Sequence, residues 1–221
     1  INLEYSNQGL KVFGALARKK LFSDKIIPLY TGVSDFAELQ GTDIRKELSL
    51  ASKSLLVLMA SNIVAGKGQL DLIRSMENIR REFPDVHLLI AGSSVKSNLA
   101  SVEYFENLKE YVLNHNLEDS IHFLGWRSDI SDLYQQGDIY VSTSYSESLP
   151  DAVRSAMQAC LPIIITNVGG SNELVEEGQN GYLFEPGDVN CLIDRMRFLL
   201  RNPDLRDEMG QKNESIIEAK F

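Results

Sequence analysis

Short, continuous apolar runs alternate with amphipathic stretches along most of the chain, and this alternation constrains the fold more than any other feature. The runs begin at Leu55, Val86, Ile121, Ile139 and Ile163, and apolar residues recur at helical spacing between them. Strands that are apolar on both faces are typical of parallel sheets covered by helices on both sides. We therefore expect an α/β fold with three layers, in which helices flank a parallel sheet.

The alternating pattern covers residues 55–202 and is followed by a predicted C-terminal helix in residues 203–221. It does not extend to residues 1–54, which contain no complete strand–helix repeat. Asp43 could cap a short helix that ends near Leu48. We therefore predict that residues 1–26 are the remnant of a preceding domain and that residues 27–54 are a linker that leads into the main domain.

The chain is acidic, because 22 Lys and Arg residues face 31 Asp and Glu residues and the formal net charge is −9. This charge argues against binding to the phosphates of DNA or RNA. The two cysteines lack metal-ligand spacing and fit a reducing compartment, and the three histidines are scattered. No apolar stretch reaches the length of a membrane span, and no secretory signal is visible. We therefore expect a cytoplasmic protein without a metal site.

The first loop at a strand end contains Asn62 and Lys67, with glycines on both sides of the lysine. Ligands of parallel α/β sheets bind at the carboxyl ends of the strands, and a lysine at the start of a helix can meet a phosphate there. The loop lacks the spacing of a Walker A motif, and no Gly-x-Gly-x-x-Gly follows the strand. A solvated lysine near a flexible turn explains these residues equally well.

A second loop, after the run that begins at Ile139, contains Glu147, Ser148, Leu149 and Pro150. Proline suits the first turn of a helix, so Glu147 can accept hydrogen bonds from sugar hydroxyls and the amides of Ser148 and Leu149 can point at a phosphate. For this loop taken alone, the simpler interpretation is a helix cap in which Glu147 or Ser148 satisfies free amides.

A third loop contains Gly169, Gly170 and Glu173. Paired glycines permit positive φ and a close approach of the backbone to a ligand, and a glutamate in a first helical turn is stabilised by the helix dipole. A plain loop followed by a cap is the alternative.

A fourth loop, after the run that begins at Ile121, contains Gly125, Trp126 and Arg127. Trp126 is the only tryptophan of the chain and could border a flat base. Packing is the more common role of an aromatic residue at such a position.

The four loops, in this order and at these separations, resemble the C-terminal domain of the retaining glycosyltransferases called group 1 or family 4. The most specific stretch is residues 144–188, with Glu147, the Gly169–Gly170 pair, Glu173 and the dipeptide that begins at Asn180. The resemblance implies a Rossmann-like domain that forms one half of a GT-B fold. Residues 55–202 would then be the nucleotide-sugar-binding domain, facing an N-terminal domain across a cleft.

The resemblance also implies roles for individual residues. Lys67 would bind the donor diphosphate and Glu147 would touch the donor sugar, which makes these two the expected catalytic residues. The segment from Gly125 to Arg127 would lie beside the base. The implied donor-binding residues are Asn62, Lys67, Gly125, Trp126, Arg127, Glu147, Ser148, Leu149, Ser155, Gly169, Gly170 and Glu173.

Two positions depart from the family pattern. Ser155 stands where the family has a second glutamate that binds the ribose hydroxyls, and Asn62 stands where it has an arginine that partners the lysine. Each loss could weaken donor binding by about 1.5–3 kcal/mol, because a charged hydrogen bond is missing. The residues nearest Ser155 that could compensate are Asp151 and Arg154, on the same predicted helix.

The implied reaction is the transfer of a hexosyl unit from a UDP- or GDP-sugar to a saccharide or lipid acceptor, with retention of the anomeric configuration and without a cofactor or metal. The missing N-terminal domain would supply most acceptor contacts and any peripheral attachment to the inner face of the membrane. Two alternatives remain: a nucleotide-binding subunit or inactive homologue without transferase activity, suggested by Asn62 and Ser155, and an unrelated dinucleotide-binding domain.

Overall fold

The structure, a computed structural model, describes residues 39–221, and its centre is a six-stranded sheet in the order β3-β2-β1-β4-β5-β6. Every neighbouring pair of strands is parallel. This arrangement confirms the predicted α/β fold with a parallel sheet. The strands are β1 Leu55–Ala60, β2 Val86–Ala91, β3 Ile121–Gly125, β4 Ile139–Ser142, β5 Ile163–Thr166 and β6 Gly181–Phe184.

Helices connect the strands and cover both faces of the sheet. A 3-10 turn, Ala65–Lys67, precedes the first long helix. The α-helices are α1 Ile44–Glu47, α2 Gln69–Glu82, α3 Leu99–Asn114, α4 Ile130–Gln136, α5 Asp151–Gln158, α6 Ser171–Leu174, α7 Val189–Arg201 and α8 Pro203–Lys220.

Two hydrophobic clusters, one on each face of the sheet, form the core. Successive residues of β1 alternate between them: Val57 and Met59 belong to one cluster, and Leu56 and Leu58 belong to the other. All four side chains are buried. The strand is therefore apolar on both faces, as the continuous runs in the sequence indicate.

The sequence pattern does not predict β6. The segment that becomes β6 is only four residues long and begins with Gly181, a residue that is unfavourable in strands. The structure requires a glycine here, because a Cβ at this position would overlap the carbonyl oxygen of Ile163 on the neighbouring strand. The close packing of β6 against β5 thus requires a glycine at a position where a β-branched residue would have indicated a strand.

The described part of the predicted linker packs against α4. Asp43 caps α1, as expected, by accepting a hydrogen bond from the amide of Lys46. Ile44 is fully buried, and the guanidinium of Arg45 pairs with Asp138 at 3.1 Å. The segment that leads into the sheet is therefore a fixed part of this body. The division of the whole chain into domains stays a prediction, and residues 1–26 lie outside the described residues.

We expect the melting temperature to fall as the pH is lowered from about 6.5 towards 4, because two half-buried histidines bind protons more readily in the unfolded chain than in the native state. His87 Nδ1 and His122 Nε2 lie 3.1 Å apart on neighbouring strands. Burial lowers the pKa of His87, and burial together with His87 lowers the pKa of His122 to about 4. The native state thus favours neutral rings, whereas the unfolded chain binds protons below about pH 6.5.

Melting curves at pH 7.5 and 5.0 test this expectation. His122→Gln should reduce the loss of stability at pH 5.0, whereas His115→Gln, at the exposed C-cap residue of α3, should leave that loss unchanged. An identical loss in the wild type and in His122→Gln would contradict the assignment.

Candidate functional site

A cleft of about 360 Å³ opens at the carboxyl ends of β1 and β4. These two strands are neighbours at the point where the strand order reverses, and ligands of open α/β sheets bind at such switch points. The loop after β1 provides one wall with Asn62 and Lys67. Residues 142–153, which run from the end of β4 into α5, provide much of the rest.

The backbone around Lys67 is fastened to the loop that follows β4. The single proton of the Thr143 hydroxyl is shared between the carbonyls of Lys67 and Gly68, which lie 3.0 and 2.8 Å from Oγ1. The amide of Tyr145 donates to the carbonyl of Gly66 at 2.8 Å. Gly68 has φ +67°, and a Cβ there would overlap the carbonyl oxygen of Thr143. The two loops therefore act as one unit that holds Lys67 over the cleft.

Lys67 and Glu147 form an ion pair inside the cleft. The Nζ atom of Lys67 lies 2.5 Å from Oε1 of Glu147, and the two side chains are 30% and 16% exposed. Glu147 does not cap α5, because the N-cap residue is Pro150 and no side chain bonds the first amides of that helix. Neither a freely solvated lysine nor a capping glutamate describes these residues.

The Gly169–Gly170 pair after β5 packs against the backbone of the loop that contains Glu147. Gly169 has φ +53°, and a Cβ there would overlap the carbonyl oxygen of Glu147. The amide of Gly170 donates to the carbonyl of Ser148 at 2.7 Å. The glycines thus fix the direction of the peptide units at Glu147 and Ser148, although they do not line the cleft themselves.

Two backbone amides make the cleft suitable for binding an anion. Ser148 and Leu149 line it, and within residues 39–221 nothing accepts a hydrogen bond from either of their N–H groups. They lie just before α5, whose start carries the positive end of the helix dipole. Free amides beside a lysine at a helix start are a suitable environment for a phosphate.

Asp151 and Ser155 occupy different positions relative to the cleft. Asp151 lines it, is 77% exposed and pairs with the guanidinium of Arg154. Ser155, one turn further along α5, is half-buried and is not among the lining residues. Glu173, in α6, is half-buried and also lies away from the lining. Of these, only Asp151 is placed to meet a ligand in the cleft directly.

The segment after β3 lies apart from the cleft. In the sheet, β2 separates β3 from β1. Gly125 is tied to the β2 loop, because its carbonyl accepts a hydrogen bond from the amide of Gly92 at 2.7 Å. The ring of Trp126 is 75% exposed and does not pack into the core. A base that reached this ring would have to extend along the sheet edge from the cleft.

Arg127 is engaged in ion pairs. Its guanidinium contacts Glu47 at 2.7 Å and Asp129 at 2.6 Å, and Asp129 also accepts a hydrogen bond from the hydroxyl of Thr42. The hydrogen bond from Arg127 lowers the pKa of Asp129 to about 2. Arg127 therefore fastens the segment around α1 to the β3 loop.

Three lining residues on β4 and just after it are not among the site residues predicted from the sequence. Ser142 and Ser144 are buried and polar, and Tyr140 donates from its hydroxyl to the carbonyl of Ala60 at 3.3 Å. Burial raises the pKa of Tyr140 far above its ordinary value. The available signal was Ser142 itself, a polar residue at the end of an otherwise apolar run.

In the part of the chain that the structure describes, no group of three or more His, Cys, Asp or Glu side chains is placed to hold a metal ion. The same residues include no helix that is both long and apolar enough to cross a membrane. Function without a metal stays an expectation.

Comparison with known sequences shows a clear family relationship. The family model described as "Glycosyl transferases group 1" matches residues 41–215. An uncharacterized glycosyltransferase of Haemophilus influenzae is 31% identical over 73% of this chain and 44% of its own length. The N-acetyl-alpha-D-glucosaminyl L-malate synthase of Bacillus anthracis is 29% identical over 81% of this chain and 45% of its own. The chain thus spans about half the length of the curated relatives it matches.

Solved structures show the same relationship in three dimensions. Anabaena HepE in complex with UDP and glucose is 25% identical, with a TM-score of 0.73 over 80% of this chain and 47% of that one. Sucrose-phosphate synthase from Thermosynechococcus elongatus is 25% identical, with a TM-score of 0.80 over 98% of this chain and 53% of that one. Both matches cover about half of the solved chain.

Proposed function

Because the chain belongs to the group 1 glycosyl transferases, we propose that its cleft binds a nucleoside diphosphate sugar as the donor half of a retaining hexosyltransferase. The observation that carries this proposal is the convergence of Lys67, Glu147 and two free amides at the switch point between β1 and β4. A cation and amides suit the diphosphate, and a carboxylate suits sugar hydroxyls.

In the proposed reaction, the bond between C1 of the sugar and the diphosphate oxygen breaks, and its electron pair stays on the diphosphate. The oxygen of the acceptor hydroxyl bonds to C1, and its proton passes to the departing diphosphate. Lys67 and the amides of Ser148 and Leu149 would stabilise the charge that develops on the leaving group, because fixed donors need no reorganisation during the reaction. Retention of configuration is part of the proposal and follows from the family resemblance.

The substrates and partners are proposed at the level that the relatives support. A UDP-sugar is the first candidate donor, since HepE was solved in complex with UDP and glucose, and a GDP-sugar is the second. The acceptor would be a saccharide or lipid that approaches from a facing domain. We further propose that the protein acts in the cytoplasm.

Asp151 is the proposed substitute for the family's ribose-binding glutamate. It lines the cleft on the first turn of α5, whereas Ser155, at the family's position, does not. Its carboxylate can accept hydrogen bonds from two adjacent hydroxyls, which a serine cannot do equally well. The pair with Arg154 would help to hold this carboxylate in place.

Ligand-observed NMR with UDP, GDP, ADP and NAD tests the proposed binding. We expect UDP or GDP to bind and UDP-glucose or GDP-mannose to displace it. A preference for NAD would contradict the proposal. Asn62, in place of a second cation, keeps a nucleotide-binding subunit without transferase activity as the second candidate. Donor binding without sugar transfer to any saccharide or lipid acceptor, measured on the protein at its natural length, would favour that candidate.

A further inference from the structure

The ion pair between Lys67 and Glu147 bears directly on which ligand the cleft prefers. Lys67 is the one lysine or arginine among the lining residues of the described cleft. An ammonium group has three N–H donors, and a charge-assisted hydrogen bond to Glu147 at 2.5 Å takes one of them. Any phosphate that binds Lys67 must therefore share the ammonium with Glu147 or replace it.

The backbone keeps the two side chains together. The loop of Lys67 is bonded to the loop after β4 through Thr143, and the backbone of Glu147 rests against Gly169. The two side chains therefore cannot move far apart unless these hydrogen bonds and backbone contacts break. A diphosphate bound to Lys67 would consequently lie close to the carboxylate of Glu147.

The cost of that proximity depends on whether the ligand carries a sugar. Beside a bare nucleoside diphosphate, Glu147 would have to share or give up its cation while it faces a second anion, which is unfavourable in a half-shielded site. Beside a nucleotide sugar, the hydroxyls of the sugar can donate to Glu147 and satisfy its oxygens. The carboxylate of Glu147 thus accepts hydrogen bonds from the sugar of the nucleotide sugar, whereas the diphosphate of the nucleotide product only repels it.

We propose that Glu147 competes with the diphosphate for Lys67, so that the cleft discriminates in favour of the intact nucleotide sugar and against the nucleotide product. The inference rests on the proposed function. Once the sugar has left, Glu147 returns to Lys67 and weakens the hold of the cleft on the diphosphate. Glu147 is in this sense a specificity-determining residue as well as a sugar contact.

Calorimetric titration of UDP and UDP-glucose into the wild type and Glu147→Gln tests the inference, with GDP and GDP-mannose as a second pair. The glutamine cannot form an ion pair with Lys67, so the diphosphate no longer competes for the ammonium and UDP should bind about fivefold more tightly, the scale of one partly exposed ion pair. UDP-glucose should bind more weakly, because the carboxylate that accepts from the sugar is lost. The preference for nucleotide sugar over nucleotide should therefore shrink.

Two further variants separate competition from a general change of charge. Glu185→Gln removes the same charge after β6, where the carboxylate accepts from Asn167 and contacts no cation among residues 39–221, and it should leave UDP affinity unchanged. In a Lys67→Gln background, Glu147→Gln should no longer tighten UDP by the same factor, because the contested cation is absent.

The outcomes distinguish this inference from the proposed function. Tighter UDP binding in Glu147→Gln but not in Glu185→Gln supports the competition. Unchanged or weaker UDP binding in Glu147→Gln overturns the competition and leaves the proposed function standing. Failure of the wild type and of Glu147→Gln to bind any of the four nucleotides overturns both.

Discussion

Lys67→Ala is expected to weaken UDP or GDP binding by about 30-fold, because a charged hydrogen bond contributes about 1.5–3 kcal/mol. A 30-fold loss corresponds to about 2 kcal/mol, which lies within that range. The cleft contains no other lysine or arginine among its described lining residues that could replace the contact. The variant also leaves Glu147 without its cation beside the diphosphate. Calorimetric titration of the nucleotide measures the change.

The melting temperature of Lys67→Ala should change little, because a partly exposed ion pair contributes about 0–1 kcal/mol to folding. Lys96→Ala is the matched control: this exposed lysine follows β2 at the same edge of the sheet but does not line the cleft. It should bind nucleotide as the wild type does. Equal losses in the two variants would indicate a diffuse field effect and remove Lys67 from the site.

Gly169→Ala is expected to lower the melting temperature by about 5–15 °C and to abolish measurable nucleotide binding. The new Cβ would overlap the carbonyl oxygen of Glu147, and φ is +53°. Strain and displacement of a packed backbone together cost about 2–5 kcal/mol. Relief of the overlap requires the peptide unit between Glu147 and Ser148 to move, and that movement disturbs both the carboxylate and the neighbouring amides.

Gly178→Ala separates the overlap from the backbone strain. Gly178 has φ +75°, but the nearest atom to an added Cβ is Tyr182 Cε1 at 4.0 Å. This variant should lose about 1 kcal/mol from the left-handed conformation and retain nucleotide binding. If Gly169→Ala behaved like Gly178→Ala in both melting and titration, the glycine pair would have no role in shaping the cleft.

The parallel sheet could be predicted from the sequence because burial on both faces leaves a direct mark on it. The strands Val86–Ala91 and Ile163–Thr166 contain the continuous apolar runs 88–91 and 163–165, and only a buried strand or helix suits such runs. The strand that begins at Gly181 does not have such a run, since its first residue must be a glycine to allow the close approach of Ile163. Local pattern predicts burial, but it does not predict which backbone segments nearly touch.

The site could be predicted only in part, for a related reason. The rule that ligands bind at carboxyl strand ends placed Lys67 and Glu147 at the same edge of the sheet. That they form an ion pair depends on the bonds of Thr143 and on Gly169, which are contacts between loops distant in sequence. The engagement of Arg127 by Glu47 and Asp129 likewise depends on how the segment around α1 packs.

The family resemblance supplied roles, whereas the structure supplied positions. Ser155 inherits a ribose-binding place from the family motif, yet in the structure it is Asp151, four residues earlier, that lines the cleft. One turn of a helix separates the two side chains, so both lie on the same face of α5. They differ in how far they are exposed to the cleft. Spacing alone could not reveal that difference.

The central claim is that the cleft between β1 and β4 binds the diphosphate of a nucleotide sugar. The most direct test follows backbone amide resonances during titration with UDP-glucose or GDP-mannose. The largest shifts should occur at Lys67, Ser148 and Leu149. A second pocket, of about 340 Å³, carries Arg80 and Arg81 between α2 and the end of α3. Shifts confined to that pocket, with Ser148 and Leu149 unmoved, would contradict the account.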